Sequence, residues 1–219
     1  MIKRLSRSGA RAAAAAGVMA VLALGSGRPV AAFDYYVMAL TWTPTWCLTD
    51  GGPDDARRGG QCDPGRRLGF TLHGLWPQDA AGGWPEYCET DARDPERRET
   101  AAMADVMGSG GLAWYEWKKH GRCSGLEPEA YFGAARRVFE ALALPAPARG
   151  RASAGAIEAA FLAANPALSP EGVIVTCGGG RLQEVRICLT PEFAPRACGA
   201  DVQADACRVR GPLDVLGGR

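Results

Sequence analysis

Aromatic and β-branched residues alternate with small ones through FDYYVMALTWT (33–43), a pattern that predicts a strand. TDGGPDDARRGGQCDPG (49–65) is dense in Gly, Pro and Asp and reads as loop. RRLGFTLHGLW then predicts a second strand that ends at Gly74, which leaves His73 at the strand's edge. Beyond this the period lengthens. Residues 95–107 and 112–120, on either side of GSGG, read as helices, and in the second Trp114 and Trp117 stand three apart, placed to anchor it against a core. Between Pro128 and Leu144 the residues Tyr131, Phe132, Ala135, Val138, Phe139 and Leu142 recur at helical spacing, with Pro128 suited to a first turn. A further helix over 154–164 stops before Asn165-Pro166, and GVIVTC (172–177) and RLQEVRICLT (181–190) form an antiparallel hairpin across a Gly-rich turn. The class is α+β: a central antiparallel sheet with helices packed against it. The pattern does not set the strand order.

The first 32 residues stand apart. Lys3, Arg4, Arg7 and Arg11 precede the apolar run AAAAAGVMAVLALGS, and Val30-Ala31-Ala32 supplies a small-residue cleavage pattern. The run is short for a membrane span of about 20 residues. Residues 1–32 therefore read as a cleaved secretory signal and residues 33–219 as one domain, exported to the periplasm or the medium. With the signal go five basic residues (Arg28 is the fifth), leaving 20 Lys+Arg against 24 Asp+Glu, a formal charge of −4. Bulk phosphate neutralisation requires a basic protein, so a nucleic acid must be met here by a local site. All eight cysteines lie in the mature part, and an even count in an exported chain predicts four disulfides. No CxxC pair occurs and the spacings are irregular, which argues against a zinc cage.

Only two histidines occur, His73 in FTLHGLWPQ and His120 in WYEWKKHGRC. On a helix, residues three and four apart share a face, which groups Glu116, Lys119 and His120. Gly121 suits a left-handed C-cap, and Cys123 just beyond could fix the helix end. Two imidazoles and a cation suit cleavage of RNA through its own 2′-hydroxyl. That reaction needs a base for the hydroxyl proton, an acid for the departing 5′-oxygen, and positive charge for the phosphoryl oxygens. It requires no metal or cofactor. Histidine pairs also serve metals and serine hydrolases, so the residue types alone leave the choice open.

FTLHGLWP and EWKKHGRC, in this order and at this separation, resemble the two signature segments of the ribonuclease T2 family. LTWTPTWC, WPEYC (84–88), ANPALSPEGVIVTC and EVRICLT extend the resemblance over nearly the whole mature chain. The resemblance implies an α+β fold and an endoribonuclease of the transferase (lyase) type, acting on single-stranded RNA with no metal, no cofactor and no obligate protein partner. It implies His120 as base and His73 as acid, or the reverse. Glu116 and Lys119 would stabilise the phosphorane, and the product would be a 2′,3′-cyclic phosphate, then a 3′-phosphate. Trp76 and Trp84 fall where the family stacks a base, and such stacking is worth roughly 1–3 kcal/mol. The implied disulfides are Cys47–Cys62, Cys88–Cys123, and Cys177–Cys207 around Cys188–Cys198.

Three positions depart from the family pattern. Tyr115 stands where His is frequent before the Glu, and can donate a hydrogen bond to phosphate but brings no charge. Arg122 replaces a common threonine. Gln78 replaces an Asp that reads a base edge, and glutamine both donates and accepts, so base preference is open. The competing readings are a catalytically silent secreted RNA-binding relative, favoured only by Tyr115, and a disulfide-stapled structural or inhibitor protein with incidental histidines. A metallohydrolase ranks below both, since two histidines and one Glu leave too few ligands.

Overall fold

The computed structural model describes residues 33–51, 60–146 and 150–216. The segment read as a signal, 1–32, and part of the predicted 49–65 loop lie outside them. Strand β1 (Tyr35–Trp42) runs into a single helical turn, α1 (Thr43–Trp46), and β2 is Phe70–Gln78. Helices α2 (Arg97–Ala102), α3 (Ala104–Met107), α4 (Gly110–Lys119) and α5 (Pro128–Glu140) follow in one block. After the short β3 (Gly150–Ala152) come α6 (Ala154–Ala164), β4 (Val173–Gly178), β5 (Arg181–Leu189), α7 (Ala200–Ala204) and β6 (Leu213–Val215). The strands form one sheet in the order β2-β1-β5-β6-β3, with β4 also paired to β5. The four long strands pair antiparallel, and β6 joins β5 parallel through Arg181 and Asp214 alone.

Alternation along β1 sorts the molecule into two faces. Tyr36, Met38, Leu40 and Trp42 point into the main core, where Val106 and Met107, Ala113 and Trp117, Tyr131 and Phe132, and Ile157 and Phe161 arrive from α3, α4, α5 and α6. Tyr35 and Val37 point the other way, into a smaller cluster with Ile174, Cys188, Cys198 and Val202 of α7. Trp117 is fully buried, and removing such a side chain from water is worth about 1.5–3 kcal/mol or more. Trp114, expected beside it, is instead 41% exposed, with the Lys118 ammonium 5.7 Å from its ring centre. A three-residue step turns 60° away from perfect alignment on a helix, and the core takes only one of the two rings.

Other elements depart from the sequence reading in physically simple ways. The predicted 95–107 helix breaks at Met103 into α2 and α3. The β4–β5 hairpin turns on Gly179 and Gly180, both at positive φ (56° and 77°), the geometry a two-residue turn demands. Gly121 does not adopt the left-handed conformation expected of a C-cap; it opens a 3₁₀ turn, Gly121–Cys123. It is glycine because a Cβ there would press into the Trp117 and Tyr131 rings.

The largest departure is in β2, which passes through Gly74 and continues to Gln78. Ala39 pairs with Gly74 and Leu40 with Leu72, so His73 has no partner on β1: it is the extra residue of a β-bulge. Phe70, Leu72 and Leu75 face the core, a step of two followed by a step of three. Strict alternation would have put His73 and Trp76 on opposite faces. The bulge brings them to one face, with ring centres 5.2 Å apart.

All eight cysteines are paired, as Cys47–Cys62, Cys88–Cys123, Cys177–Cys207 and Cys188–Cys198. Among the described residues no helix is long and apolar enough to cross a membrane.

Candidate active site

A cleft of about 400 Å³ opens on the face away from the main core, where β2, α4, α7 and the 79–84 loop meet. His73, Trp76 and Gln78 line it from β2, Tyr115, Glu116, Lys119 and His120 from α4 and its end, and Trp84 from the loop. The two motifs, some forty residues apart in sequence, thus converge on one cleft. Arg186 of β5 and Asp201, Val202 and Asp205 complete the wall.

The close approach of α4 to β2 depends on Gly74. Any Cβ there would collide with Glu116 Oε2 and Trp76 Nε1. Those two atoms are themselves bonded: the indole N–H of Trp76 donates to Glu116 Oε2 at 2.6 Å. Tyr131 ties α5 to the same strand, its hydroxyl donating to the Leu75 carbonyl at 2.8 Å. Downstream, the Cys88–Cys123 bond joins the segment after β2 to the turn after His120, and the Tyr87 N–H donates to the Lys119 carbonyl at 2.8 Å.

Trp76 neighbours both imidazoles. Its ring centre lies 5.2 Å from that of His73, edge-on, and 5.3 Å from that of His120, tilted by 32°. The Arg186 guanidinium carbon stands 5.4 Å from the same ring. Trp84 and Tyr115 differ from it in being half exposed at the mouth of the cleft. Lys119 Nζ sits 3.7 Å from Glu86 Oε2. Gln78 is buried, and its amide donates to the Pro77 carbonyl at 3.0 Å.

The histidines sit in opposite electrostatic settings. His73 Nδ1 lies 2.6 Å from Glu184 Oε1 on β5, and its Nε2 lies 3.6 Å from Glu116 Oε1. Burial opposes a charged imidazole, but the Glu184 hydrogen bond and the charges of Glu116 and Glu184 outweigh it, and the His73 pKa stands above its ordinary value. His120 is buried, its Nδ1 meets no hydrogen-bond partner among the described residues, and Lys119 and His73 are its charged neighbours. Burial, then those two cations, push its pKa down to about 3. Burial also raises the Glu116 carboxyl, with His73, Trp76 and Lys119 acting against the shift.

Comparison with known proteins fits this arrangement. The model of the Ribonuclease T2 family matches residues 33–146. The chain belongs to this family. The ribonuclease of Aeromonas hydrophila is 44% identical over 94 residues, which are 43% of this chain and 39% of that protein. Ribonuclease I of Escherichia coli strain K12 is 36% identical over 143 residues, 48% of this chain and 53% of its own length. The chain thus spans about half or less of the curated relatives' length. Among solved structures, trichomaglin superposes with a TM-score of 0.67 at 20% identity, covering 86% of this chain and all of that one. The RNase-related protein from Calystegia sepium gives 0.65 at 21%, covering 85% and 98%. At such identities the likeness is one of fold.

For a T2-family chain, the residue that the motifs did not reveal is Glu184. It lies in EVRICLT, a stretch that carried resemblance without chemistry, and it reaches His73 from 111 positions away in sequence. The available signal was β5 itself, where Glu184 and Arg186 alternate with the apolar Val185 and Ile187.

Proposed function

We propose that the chain is an exported endoribonuclease that cleaves single-stranded RNA by metal-independent transphosphorylation. Residues 1–32 are its cleaved signal and residues 33–219 its catalytic domain; the four disulfides suit an oxidising compartment. The observation that carries this reading is the convergence of two imidazoles of opposite charge preference on one cleft that Lys119 and Glu116 also line.

His120, held neutral by burial, takes the proton of the 2′-hydroxyl. The freed O2′ attacks phosphorus, and a pentacovalent phosphorane forms. His73, held protonated between two carboxylates, gives its proton to O5′ as the P–O5′ bond breaks. The product is a 2′,3′-cyclic phosphate. Water opens it to a 3′-phosphate with the two histidines in exchanged roles. Lys119 neutralises charge on the equatorial oxygens. Glu116, its carboxyl raised by burial against the opposing charges of His73 and Lys119, faces His73 Nε2 at 3.6 Å and, as the family resemblance implies, helps to stabilise the phosphorane. Trp84 and Tyr115 offer faces for base stacking at the mouth of the cleft, and Gln78 lines the same pocket. Trp76 packs near both imidazoles and binds Glu116 through its indole N–H.

The test is incubation of the oxidised protein from Phe33 with a dinucleoside monophosphate such as ApU in EDTA, with His120→Ala as control. Cyclic product that forms without metal, follows a bell-shaped pH profile and is lost in the variant is the expected result. No cleavage by folded protein would transfer the weight to a silent RNA-binding relative, with Tyr115→His the next protein to make.

A further inference from the structure

We propose that Glu184 is the positioning residue of this site: it holds the Nδ1–H of His73 and so presents Nε2 as the nitrogen that delivers the proton. The proposal rests on the reading above for what that proton does, but not for the contact itself.

The geometry is built from three strands. His73 stands on β2 and Glu184 on β5, with β1 between them. Neighbouring strands lie about 4.8 Å apart, so a side chain on β5 must cross the whole width of β1 to touch one on β2. Between His73 and Glu184 on this face β1 carries Ala39 and Thr41; Ala39 pairs with both Gly74 and Arg186, and Thr41 with both Thr71 and Glu184. Two small residues open the floor over which the carboxylate reaches. The bulge supplies the rest by turning His73 onto this face.

The carboxylate is itself fixed. Glu184 Oε1 takes His73 Nδ1 at 2.6 Å, while Oε2 accepts from Arg186 Nε at 3.1 Å and lies 3.0 Å from its Nη2. Arg186 is held in turn by Asp205, the residue that ends α7, 2.6 Å from Nη1. The chain His73–Glu184–Arg186–Asp205 thus crosses from β2 to α7, with both carboxylate oxygens of Glu184 engaged. The charge of Arg186 opposes the proton on His73, while the hydrogen bond and charge of His73, and after them those of Arg186, hold the Glu184 carboxyl below its ordinary value against burial. The groups facing His73 are Glu116 from α4, Glu184 and Arg186 from β5, and the His120 imidazole beside Trp76.

An imidazole whose Nδ1–H is claimed by a carboxylate has one tautomer when neutral, with a lone pair on Nε2. The same contact favours the imidazolium, the form a general acid must hold before the bond breaks. Glu184 touches neither substrate nor phosphate in this role; it acts through His73.

Because the chain has only two histidines, ¹⁵N–¹H spectra of the imidazoles resolve both without ambiguity. In the oxidised protein from Phe33, His73 is expected to titrate at the higher pH of the two and to deprotonate to the Nδ1–H tautomer. In Glu184→Gln the amide oxygen still accepts the hydrogen bond but carries no charge. The His73 midpoint is expected to fall, and the alkaline limb of kcat to move with it. The kcat on that side should drop on the order of tenfold, with KM nearly unchanged. A role confined to packing would lower the melting temperature and leave the midpoint in place. An Nε2–H tautomer in the unsubstituted protein, or an unmoved midpoint in Glu184→Gln, overturns the proposal; the first needs no variant to fold. The titration requires no turnover, which separates this proposal from the reaction. A shifted midpoint in a protein that cleaves no RNA keeps Glu184 and removes the ribonuclease reading; cleavage with an unmoved midpoint does the reverse.

Discussion

Replacing Gly74 by alanine adds one methyl group at the seam between β2 and α4, with a consequence that can be worked from the contacts. The new Cβ would fall on Glu116 Oε2 and Trp76 Nε1, inside van der Waals distance of both. Glu116 is only 1% exposed, so its carboxyl cannot swing into solvent. The 2.6 Å bond between the two groups must open. A hydrogen bond to a carboxylate is worth about 1.5–3 kcal/mol, and stiffening the backbone at this position returns roughly 0.4–1 kcal/mol. The net expectation is a loss of about 0.5–2.5 kcal/mol, which in a domain of this size lowers the melting temperature by roughly 1–10 °C. Activity should suffer more than stability, because Glu116 moves together with Trp76, the ring that neighbours both imidazoles; kcat is expected to fall about 10- to 100-fold. Thermal denaturation by circular dichroism and initial rates on a dinucleotide measure the two effects. Gly155→Ala is the control: that glycine is in α6 with nothing near its Cβ position, and alanine there should stabilise by up to about 1 kcal/mol. A Gly74→Ala protein with unchanged melting temperature and activity within twofold of the original would refute the claim that this close approach builds the site.

His73→Ala should abolish cleavage and lower the melting temperature most at acid pH, where the charged imidazole sits against Glu184 and Glu116, and least at alkaline pH, since no partner on β1 is lost. His73 is raised, so its contribution to stability is complete below the ordinary histidine value and lost as pH climbs through the raised one. The alkaline decline in melting temperature should flatten in the variant. His120 gives the opposite sign. With its pKa at about 3 when folded, stability is lost as pH falls from the ordinary histidine range toward 3, and His120→Gln should remove that slope in acid denaturation curves. Cys88→Ser with Cys123→Ser should cost about 2–5 kcal/mol and also reduce kcat, because the bond joins the segment after β2 to the turn after His120; an unchanged rate would contradict the tethering role. Trp84→Ala should raise KM several-fold with little effect on kcat, as expected for a residue that holds a base without touching the reacting atoms.

The helices α5 and α6 and the β4–β5 hairpin were legible because each carries its period over a full element with a Pro, Ser or Gly at its boundary. The grouping of Glu116, Lys119 and His120 followed from helical spacing alone. What spacing could not convey was the course of β2. The apolar residues Phe70, Leu72 and Leu75 break alternation by one step, and Gly74 at the break invited a strand end where the strand only bulges. Glu184 was hidden for another reason: it meets His73 only because two small residues on an intervening strand leave room, a property of three segments together. Trp114 and Trp117 look equivalent in sequence, and only the shape of the core separates them.

The bulge at His73 also bears on how such a scaffold changes over time. A residue in register on a central strand answers to two neighbours and a core, so altering it taxes the whole sheet. His73 has no such cross-strand partner: the ladder closes around it, Ala39 to Gly74 and Leu40 to Leu72, and its ring is held instead by the carboxylates of Glu184 and Glu116. Chemistry at this position is therefore separable from strand pairing but tied to the charges that face it. A lineage that loses the imidazole keeps the ladder and must reckon with two carboxylates that have lost their cation, so reaction and charge balance change together while the architecture stands.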